Sequence, residues 1–174
     1  MASSLGQLTD EPTHFSDCCA GVSWPLLRTL ASRLPQNPAM VLSIGSGSGL
    51  LEGLLLEASN GATNIYGVEV SLCENKHLPS ERLLRVHCVE SLHPDAILAS
   101  SLLFVYPRKA SLVGDYFEHF SGGALEQMVW IGHRSDWKDI REVLTPAFEK
   151  LEVIEGLGLC DYELLVLASL PRTK

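Results

Sequence analysis

Apolar runs alternate with amphipathic stretches along most of the chain, which is the pattern of a sheet whose strands are joined by helices. Continuous apolar runs predict buried strands at residues 40–44, 64–70, 83–89, 101–106 and 127–132. Apolar residues at helical spacing predict helices at residues 23–34, 50–59 and 108–120, and Ser135 is the predicted N-cap of a further helix. The polar segment 71–82 leaves room for a short helix. Two final strand patterns occupy residues 148–155 and 162–169.

This order of elements predicts an α/β fold with a doubly wound, mostly parallel seven-stranded sheet. Helices are expected on both faces of the sheet, because the run at 101–106 is apolar throughout, as in a strand covered on both sides. The last two strands are close enough in sequence to form a C-terminal antiparallel hairpin. No linker or repeat divides the chain, so we expect one domain at residues 22–174, preceded by an N-terminal arm or lid at residues 1–21.

The most informative local pattern is a glycine at every second position after the first strand. Residues 41–49 read Val-Leu-Ser-Ile-Gly-Ser-Gly-Ser-Gly, and a predicted helix follows at Leu50. A strand, a glycine turn and a helix form the usual setting of a nucleotide pocket, although the same turn also occurs without a ligand. Glu69 ends the next strand, where its carboxylate could accept both hydroxyls of a ribose. A nucleoside-bearing ligand is therefore the favoured hypothesis.

Two common nucleotide motifs do not match this turn. The dinucleotide fingerprint G-x-G-x-x-G needs glycine where Leu50 stands, and a phosphate-binding P-loop needs lysine after its last glycine. The observed G-x-G-x-G resembles motif I of the class I S-adenosylmethionine-dependent methyltransferases, and the resemblance covers residues 22–170. It implies a Rossmann-like methyltransferase domain with S-adenosylmethionine as cofactor and with the last of seven strands antiparallel.

The resemblance also implies roles for individual residues. Gly45, Gly47 and Gly49 would form the turn beneath the cofactor, and Glu69 would hold its ribose. The residues implied to lie along or near the adenine are Val70, Ser71, Leu72, Glu90 and Ser91. Ser43 departs from the family pattern, which usually has Asp or Glu two residues before the first glycine to orient the ammonium-bearing end of the cofactor. A serine in this place can form a hydrogen bond but supplies no charge.

The departure at Ser43 leaves three functional hypotheses open. The first is an S-adenosylmethionine-dependent methyltransferase that acts on a small-molecule acceptor. The second is an enzyme on the same scaffold that has lost methyl transfer and catalyses a cyclisation, rearrangement or isomerisation of a small metabolite. The third is a non-catalytic partner protein, which the near-minimal length of the chain also fits.

Two residues are candidates for chemistry on the acceptor. His133 follows the fifth strand on the same edge as the glycine turn, and it is the candidate base that removes a proton. The alternative is an exposed loop histidine. Tyr106 ends the fourth strand, at the place of the family's motif IV, and would serve as a hydrogen-bond partner or as an aromatic wall against the sulfonium. The alternative is a tyrosine at the edge of the core.

Charge and the placement of the cysteines limit which kinds of partner the protein is expected to bind. The net charge of -8 and the scattered basic residues argue against nucleic acid. No signal-peptide pattern and no apolar stretch of membrane-spanning length is visible, so we expect a cytoplasmic protein that does not contact membranes. The five cysteines lack the spacing of a disulfide framework or a zinc site, and Cys88 is expected to be a buried thiol. His77, His87 and His93 lack the spacing of metal ligands. No metal is therefore expected.

The acceptor remains open at this stage. The chain has almost no insertions around its later strands, where methyltransferases of this class usually recognise their substrates. A small, partly apolar metabolite fits the acidic composition better than a polynucleotide does. Its pocket would be shallow and would be completed by residues 1–22 or by a second subunit, so a homodimer is among the expectations.

Overall fold

A computed structural model describes residues 4–171, which contain seven β-strands and four α-helices. The strands are β1 (Met40–Ile44), β2 (Asn64–Val70), β3 (Leu83–Val86), β4 (Ala99–Val105), β5 (Gln127–His133), β6 (Lys150–Ile154) and β7 (Glu163–Ser169). The helices are α1 (Trp24–Arg33), α2 (Leu50–Ala58), α3 (Ala110–Phe120) and α4 (Trp137–Leu144). Short 3₁₀ turns lie at Ser4–Gln7, Ser80–Arg82, Pro94–Leu98 and Arg134–Asp136.

The strands form one sheet in the order β3-β2-β1-β4-β5-β7-β6. The first five strands pair in parallel, and β7 lies antiparallel between β5 and β6. The predicted α/β fold, with its mostly parallel seven-stranded sheet and C-terminal antiparallel pair, is therefore confirmed. Since the strand order reverses at β1 and β4, the carboxyl edge of these strands is where an open α/β sheet binds ligands.

Helices cover both faces of the sheet, as predicted. Alternate residues of β1 enter different layers: Val41 packs with α1 and α2, whereas Leu42 packs with α3 and α4. Helix α1 begins where the sequence predicted, because the Ser23 hydroxyl accepts a hydrogen bond from the Leu26 amide and Pro25 occupies the first turn. The two layers hold the carboxyl edge in place from both sides.

Three local predictions were wrong. Strand β3 ends at Val86 rather than at residue 89, and Cys88 in the segment that follows is exposed rather than buried. Ser135 does not cap α4, because it lies within a 3₁₀ turn and its amide instead donates to the His133 ring.

The segment before α1 packs against the domain. Leu8 and Ala20 are buried in the core layer of α1 and α2, and Thr13 pairs with Val22 through two backbone hydrogen bonds of 2.9 Å. The division of the chain at residue 21 stays a prediction. Residues 1–3 of the predicted arm and 172–174 of the predicted domain lie outside the described residues.

The turn into α2 gives a test of packing. Gly49 has a φ of +78°, and a Cβ there would lie 2.7 Å from the Leu78 Cβ. Gly61 has a similar φ of +75° but open space around it. We expect Gly61→Ala to lower the free energy of unfolding only by the cost of placing alanine in a left-handed backbone conformation. Gly49→Ala adds the clash with Leu78, so we expect it to lower the free energy of unfolding by about 1–3 kcal/mol more than Gly61→Ala does. Urea unfolding of both variants measures this difference; equal losses would show that Leu78 moves aside freely.

Candidate active site

The glycine turn presents an open backbone surface at the end of β1. Gly45 and Gly47 have φ values of +78° and +58°, and a Cβ at either position would meet no atom within 4 Å. The amides of Gly45 and Ser46 donate to the Val68 carbonyl at 2.8 and 3.1 Å, which fixes the turn against β2. The turn is therefore fixed on the side that faces β2, and the open space at Gly45 and Gly47 leaves room for a ligand to contact its backbone.

Glu69 is bound to this turn directly. One carboxylate oxygen accepts the Gly47 amide at 2.8 Å, and the other accepts the Val70 amide at 2.7 Å. The side chain is half-buried, and each oxygen retains acceptor capacity because a carboxylate oxygen offers two lone-pair sites. The predicted glycines and the predicted ribose acid thus meet at one place.

The other residues predicted near the adenine lie at the ends of β2 and β3. Val70 and Ser91 are half-buried, Ser71 and Glu90 are exposed, and Leu72 is 99 % exposed. Glu90 accepts a hydrogen bond from the Lys109 ammonium at 3.2 Å, which lowers the pKa of its carboxyl. The structure therefore leaves the Leu72 side chain and the Glu90 carboxylate exposed in the segments that follow β2 and β3.

Glu52 is a candidate site residue that the sequence analysis did not single out. It is 2 % exposed on the first turn of α2, and the buried Ser43 hydroxyl donates to its Oε1 at 2.5 Å. Its Oε2 has no hydrogen-bond partner among the described residues. Burial raises the pKa of the Glu52 carboxyl to about 7, against the lowering effect of the Ser43 bond. A carboxyl group therefore does stand at Ser43, supplied from the helix rather than from the strand.

Tyr106 lies where β4 reaches the carboxyl edge. Its backbone is left-handed, with a φ of +49°, and its amide donates to the Ile131 carbonyl at 2.8 Å. The phenol donates to Glu163 Oε1 at 2.8 Å. Burial, followed by this contact with Glu163, raises the pKa of the phenol, so Tyr106 is a hydrogen-bond donor at neutral pH.

His133 ends β5 at the same edge and is exposed. The Ser135 amide donates to its Nδ1 at 3.1 Å, and the Ser135 hydroxyl lies 2.8 Å from the same nitrogen. In the neutral ring this bond places the lone pair at Nδ1 and the proton at Nε2. For His133 to accept a proton from a substrate at Nε2, the ring must first exchange tautomers.

A group of residues beside Tyr106 forms a second feature that the sequence analysis did not join. We call it the edge cluster, and it consists of His14, Cys160, Tyr162 and Glu163. The Tyr162 ring stacks on His133, with a centroid separation of 5.4 Å, and lies nearly coplanar with the His14 ring, whose centroid is 6.1 Å away. His14 Nε2 contacts the Tyr162 hydroxyl and lies 3.4 Å from Cys160 Sγ.

A cavity of about 130 Å³ opens at the same edge, between the segment that follows β4 and the beginning of α4. Its lining combines two carboxylates, a guanidinium and aromatic rings, from Tyr106, Arg108, Trp130, Asp136 and Asp139. Trp130 is 2 % exposed, and its indole N–H has no partner among the described residues. A larger cavity of about 410 Å³ lies near the starts of β1, β2 and β4, away from the glycine turn. Its lining contains none of the candidate site residues.

Comparison with solved structures finds proteins of similar fold. The chain is similar to precorrin-6y C5,15-methyltransferase from Geobacter metallireducens, with a TM-score of 0.61 and 12% identity over 92% of this chain and 93% of that one. A methyltransferase from Aquifex aeolicus matches with a TM-score of 0.59 and 14% identity, over 85% and 90%. Sp1610 from Streptococcus pneumoniae, a proposed tRNA (m1A22) methyltransferase, matches with a TM-score of 0.54 and 19% identity, over 88% of this chain and 72% of that one.

At these identities the similarity establishes the fold: the chain has the Rossmann-like fold of the class I S-adenosylmethionine-dependent methyltransferases. No protein-family model and no curated protein sequence matches the chain. Within residues 4–171 there is no helix with the length and apolar character that a membrane span requires.

The buried Glu52 gives a pH-dependent prediction. Its pKa is about 7 in the folded protein and 4.5 ordinarily, so between these values the folded state holds a proton that the unfolded state has released. The free energy of unfolding should therefore fall as the pH rises through this window, by up to about 3 kcal/mol, and then level off. Glu52→Gln keeps an acceptor for Ser43 but cannot ionise.

Urea unfolding of the wild-type protein and of Glu52→Gln at about pH 5 and about pH 8 measures the effect. The stability of the variant relative to wild type should be higher at the alkaline pH. Contributions from all other titrating groups cancel in the comparison. A difference that does not change with pH would contradict the raised pKa.

Proposed function

We propose that the protein is an S-adenosylmethionine-dependent methyltransferase acting on a small-molecule acceptor. The observation that carries this proposal is the open glycine turn, which is bound to Glu69 by the hydrogen bond from the Gly47 amide. The turn offers backbone space to a ligand, and the carboxylate beside it offers acceptors for a ribose diol. The shared methyltransferase fold supports the same reading.

The residues of the carboxyl edge suit the separate parts of this cofactor. Gly45 and Gly47 would pass beneath it, Glu69 would accept the ribose hydroxyls, and Leu72 would cover one face of the adenine. The remaining contacts proposed for the adenine side are Val70, Ser71, Glu90 and Ser91. The cofactor, when bound, supplies a methyl group activated by a sulfonium centre.

Glu52 supports the proposal at the amino-acid end of the cofactor. The family pattern has an acid where this chain has Ser43, and the Ser43 hydroxyl holds the Glu52 carboxyl within 2.5 Å. An ammonium group nearby would favour the ionised form of Glu52, because an opposite charge lowers the pKa of a carboxyl. We therefore propose that Ser43 and Glu52 together take the place of the missing acid.

The acceptor side of the proposal rests on the cavity at the ends of β4 and β5. Its volume of about 130 Å³ is enough for the reactive end of a small molecule. Asp136 and Asp139 in its lining suit a cationic or hydrogen-bond-donating group. The net charge of -8 opposes a polynucleotide substrate, although one structural neighbour bears the name of a tRNA methyltransferase.

Tyr106 and His133 are the proposed acceptor-site residues. Tyr106 would accept a hydrogen bond at its phenol oxygen or line the cleft, because its single O–H is already donated to Glu163. His133 would act as the base once its ring exchanges tautomers, and its stacking on Tyr162 holds it at the rim. We further propose a cytoplasmic location, which the five free cysteines suit, and completion of the pocket by residues 4–21 or by a second copy of the chain.

Loss of Glu69 should abolish cofactor binding. We expect Glu69→Ala to weaken S-adenosylmethionine at least about 100-fold, since hydrogen bonds from two hydroxyls to a charged acceptor contribute roughly 3 kcal/mol. Glu118→Ala, on the exposed side of α3, is the matched control and should bind as wild type does. Isothermal calorimetry measures both affinities. If the folded Glu69 variant binds normally, the ribose assignment is excluded; if wild type does not bind, the proposed function fails.

Loss of His133 should affect turnover but not the cofactor. Removal of a general base costs about 10²–10⁴-fold in rate, so we expect His133→Ala to lower kcat by this factor with the S-adenosylmethionine affinity unchanged. The assay follows transfer of a labelled methyl group to an acceptor found by screening small amines, phenols and thiols. His119→Ala, an exposed histidine of α3, serves as control. Full activity of His133→Ala would remove it as the base.

A further inference from the structure

The edge cluster contains a buried carboxylate without a countercharge. Glu163 is 0 % exposed, and its oxygens accept hydrogen bonds from the Gly21 amide at 3.2 Å, the Tyr106 phenol at 2.8 Å and the Cys160 amide at 3.3 Å. All three donors are neutral, and no cationic side chain within residues 4–171 forms an ion pair with it. Buried carboxylates are normally paired with a cation or bound to a metal ion.

Two side chains with metal-binding atoms stand beside this carboxylate. His14 Nε2 and Cys160 Sγ are 3.4 Å apart, and both lie within 4.8 Å of a Glu163 oxygen. The three residues come from separate segments: the N-terminal segment, the loop before β7 and the first position of β7. Zinc binds Cys, His and Glu at about 2.0–2.3 Å, so tetrahedral ligand atoms are spaced about 3.3–3.7 Å apart. The His14–Cys160 spacing already has this value.

We propose that His14, Cys160 and Glu163 bind a zinc ion. Thiolate, imidazole and carboxylate together favour Zn²⁺ over Mg²⁺ or Ca²⁺, which prefer oxygen ligands alone. Binding requires two local changes. The Tyr162 hydroxyl must release His14 Nε2, and the Glu163 carboxylate must move closer to the other two ligands.

Three protein ligands leave one coordination position for a water or a substrate atom, as in catalytic zinc sites. The position would lie at the carboxyl edge, next to Tyr106, which shares Glu163 with the metal. Zinc lowers the pKa of a bound hydroxyl or thiol and so favours its deprotonated form. This use of the metal on an acceptor rests on the proposed function, whereas the binding of zinc does not.

The experiment compares zinc and cobalt binding by the full chain and its variants. Protein stripped with a chelator is titrated with Zn²⁺ by calorimetry and with Co²⁺ by absorption, because a cobalt–thiolate bond has a charge-transfer band. We expect one ion per chain and a thiolate band in the wild-type protein. Loss of a residue that only orients a ligand costs about 10–100-fold in affinity, so Cys160→Ser and His14→Ala should cost more.

Cys88→Ser is the matched control, since Cys88 is exposed outside the edge cluster and its loss should leave the thiolate band intact. His14 is itself exposed, so its variant should fold, and circular dichroism of each variant verifies this. The proposal is overturned if wild-type protein binds no zinc at micromolar concentration. It is equally overturned if folded Cys160→Ser or His14→Ala binds as wild type does, or if Cys88→Ser loses the band.

Discussion

The reversed direction of β7 determines which residues can meet at the carboxyl edge of the sheet. Parallel strands bring only their last residues to this edge, whereas an antiparallel strand brings its first. Glu163 therefore opens β7 directly opposite His133, at the end of β5. The loop before β7 then lies against the end of β5, and Glu163 itself is the buried partner of the Tyr106 phenol. The edge cluster exists because of this reversal.

Two buried carboxyl groups serve the two ends of the cleft by different physical means. Glu52 has one short bond from Ser43 and an unpartnered oxygen, and its burial favours the neutral acid. Glu163 receives three donors on its two oxygens, which replace much of the hydration that burial removes. A cation that approached either group would gain from a low-dielectric setting. A positive charge would therefore interact favourably with Glu52 at one end of the site and with Glu163 at the other.

The strands and the glycine turn could be predicted because their signals are local. β1 and β2 lie where their apolar runs indicated, and Gly45, Gly47 and Glu69 meet because adjacent parallel strands end at one edge. The Ser43–Glu52 bond depends on how α2 is rotated over β1, which periodicity fixes only coarsely. A signal was nevertheless present, because Glu52 interrupts the leucines of the buried face of α2.

The edge cluster could not be predicted by any spacing rule. His14 and Cys160 are separated by 146 positions, and only the assembled sheet and the packed N-terminal segment bring them together. Rules for metal sites that count the residues between ligands apply to short loops and helices, so they overlook such pairs. The misplaced ends of β3 and of the last helix have a local cause instead, because exposed polar segments carry weak signals for where an element stops.

The bridge between Thr13 and Val22 closes residues 14–21 into one short loop that touches both ends of the cleft. At one end His14 contacts the loop before β7; at the other, Asp17 binds His77 at 2.8 Å and its carbonyl accepts the Ser48 hydroxyl at 3.0 Å. Opening this loop breaks both sets of contacts at once, and so the amides beneath it share a single opening free energy. In hydrogen exchange, the backbone amides of the glycine turn and of the edge cluster would therefore show the same protection, because one opening event exposes both.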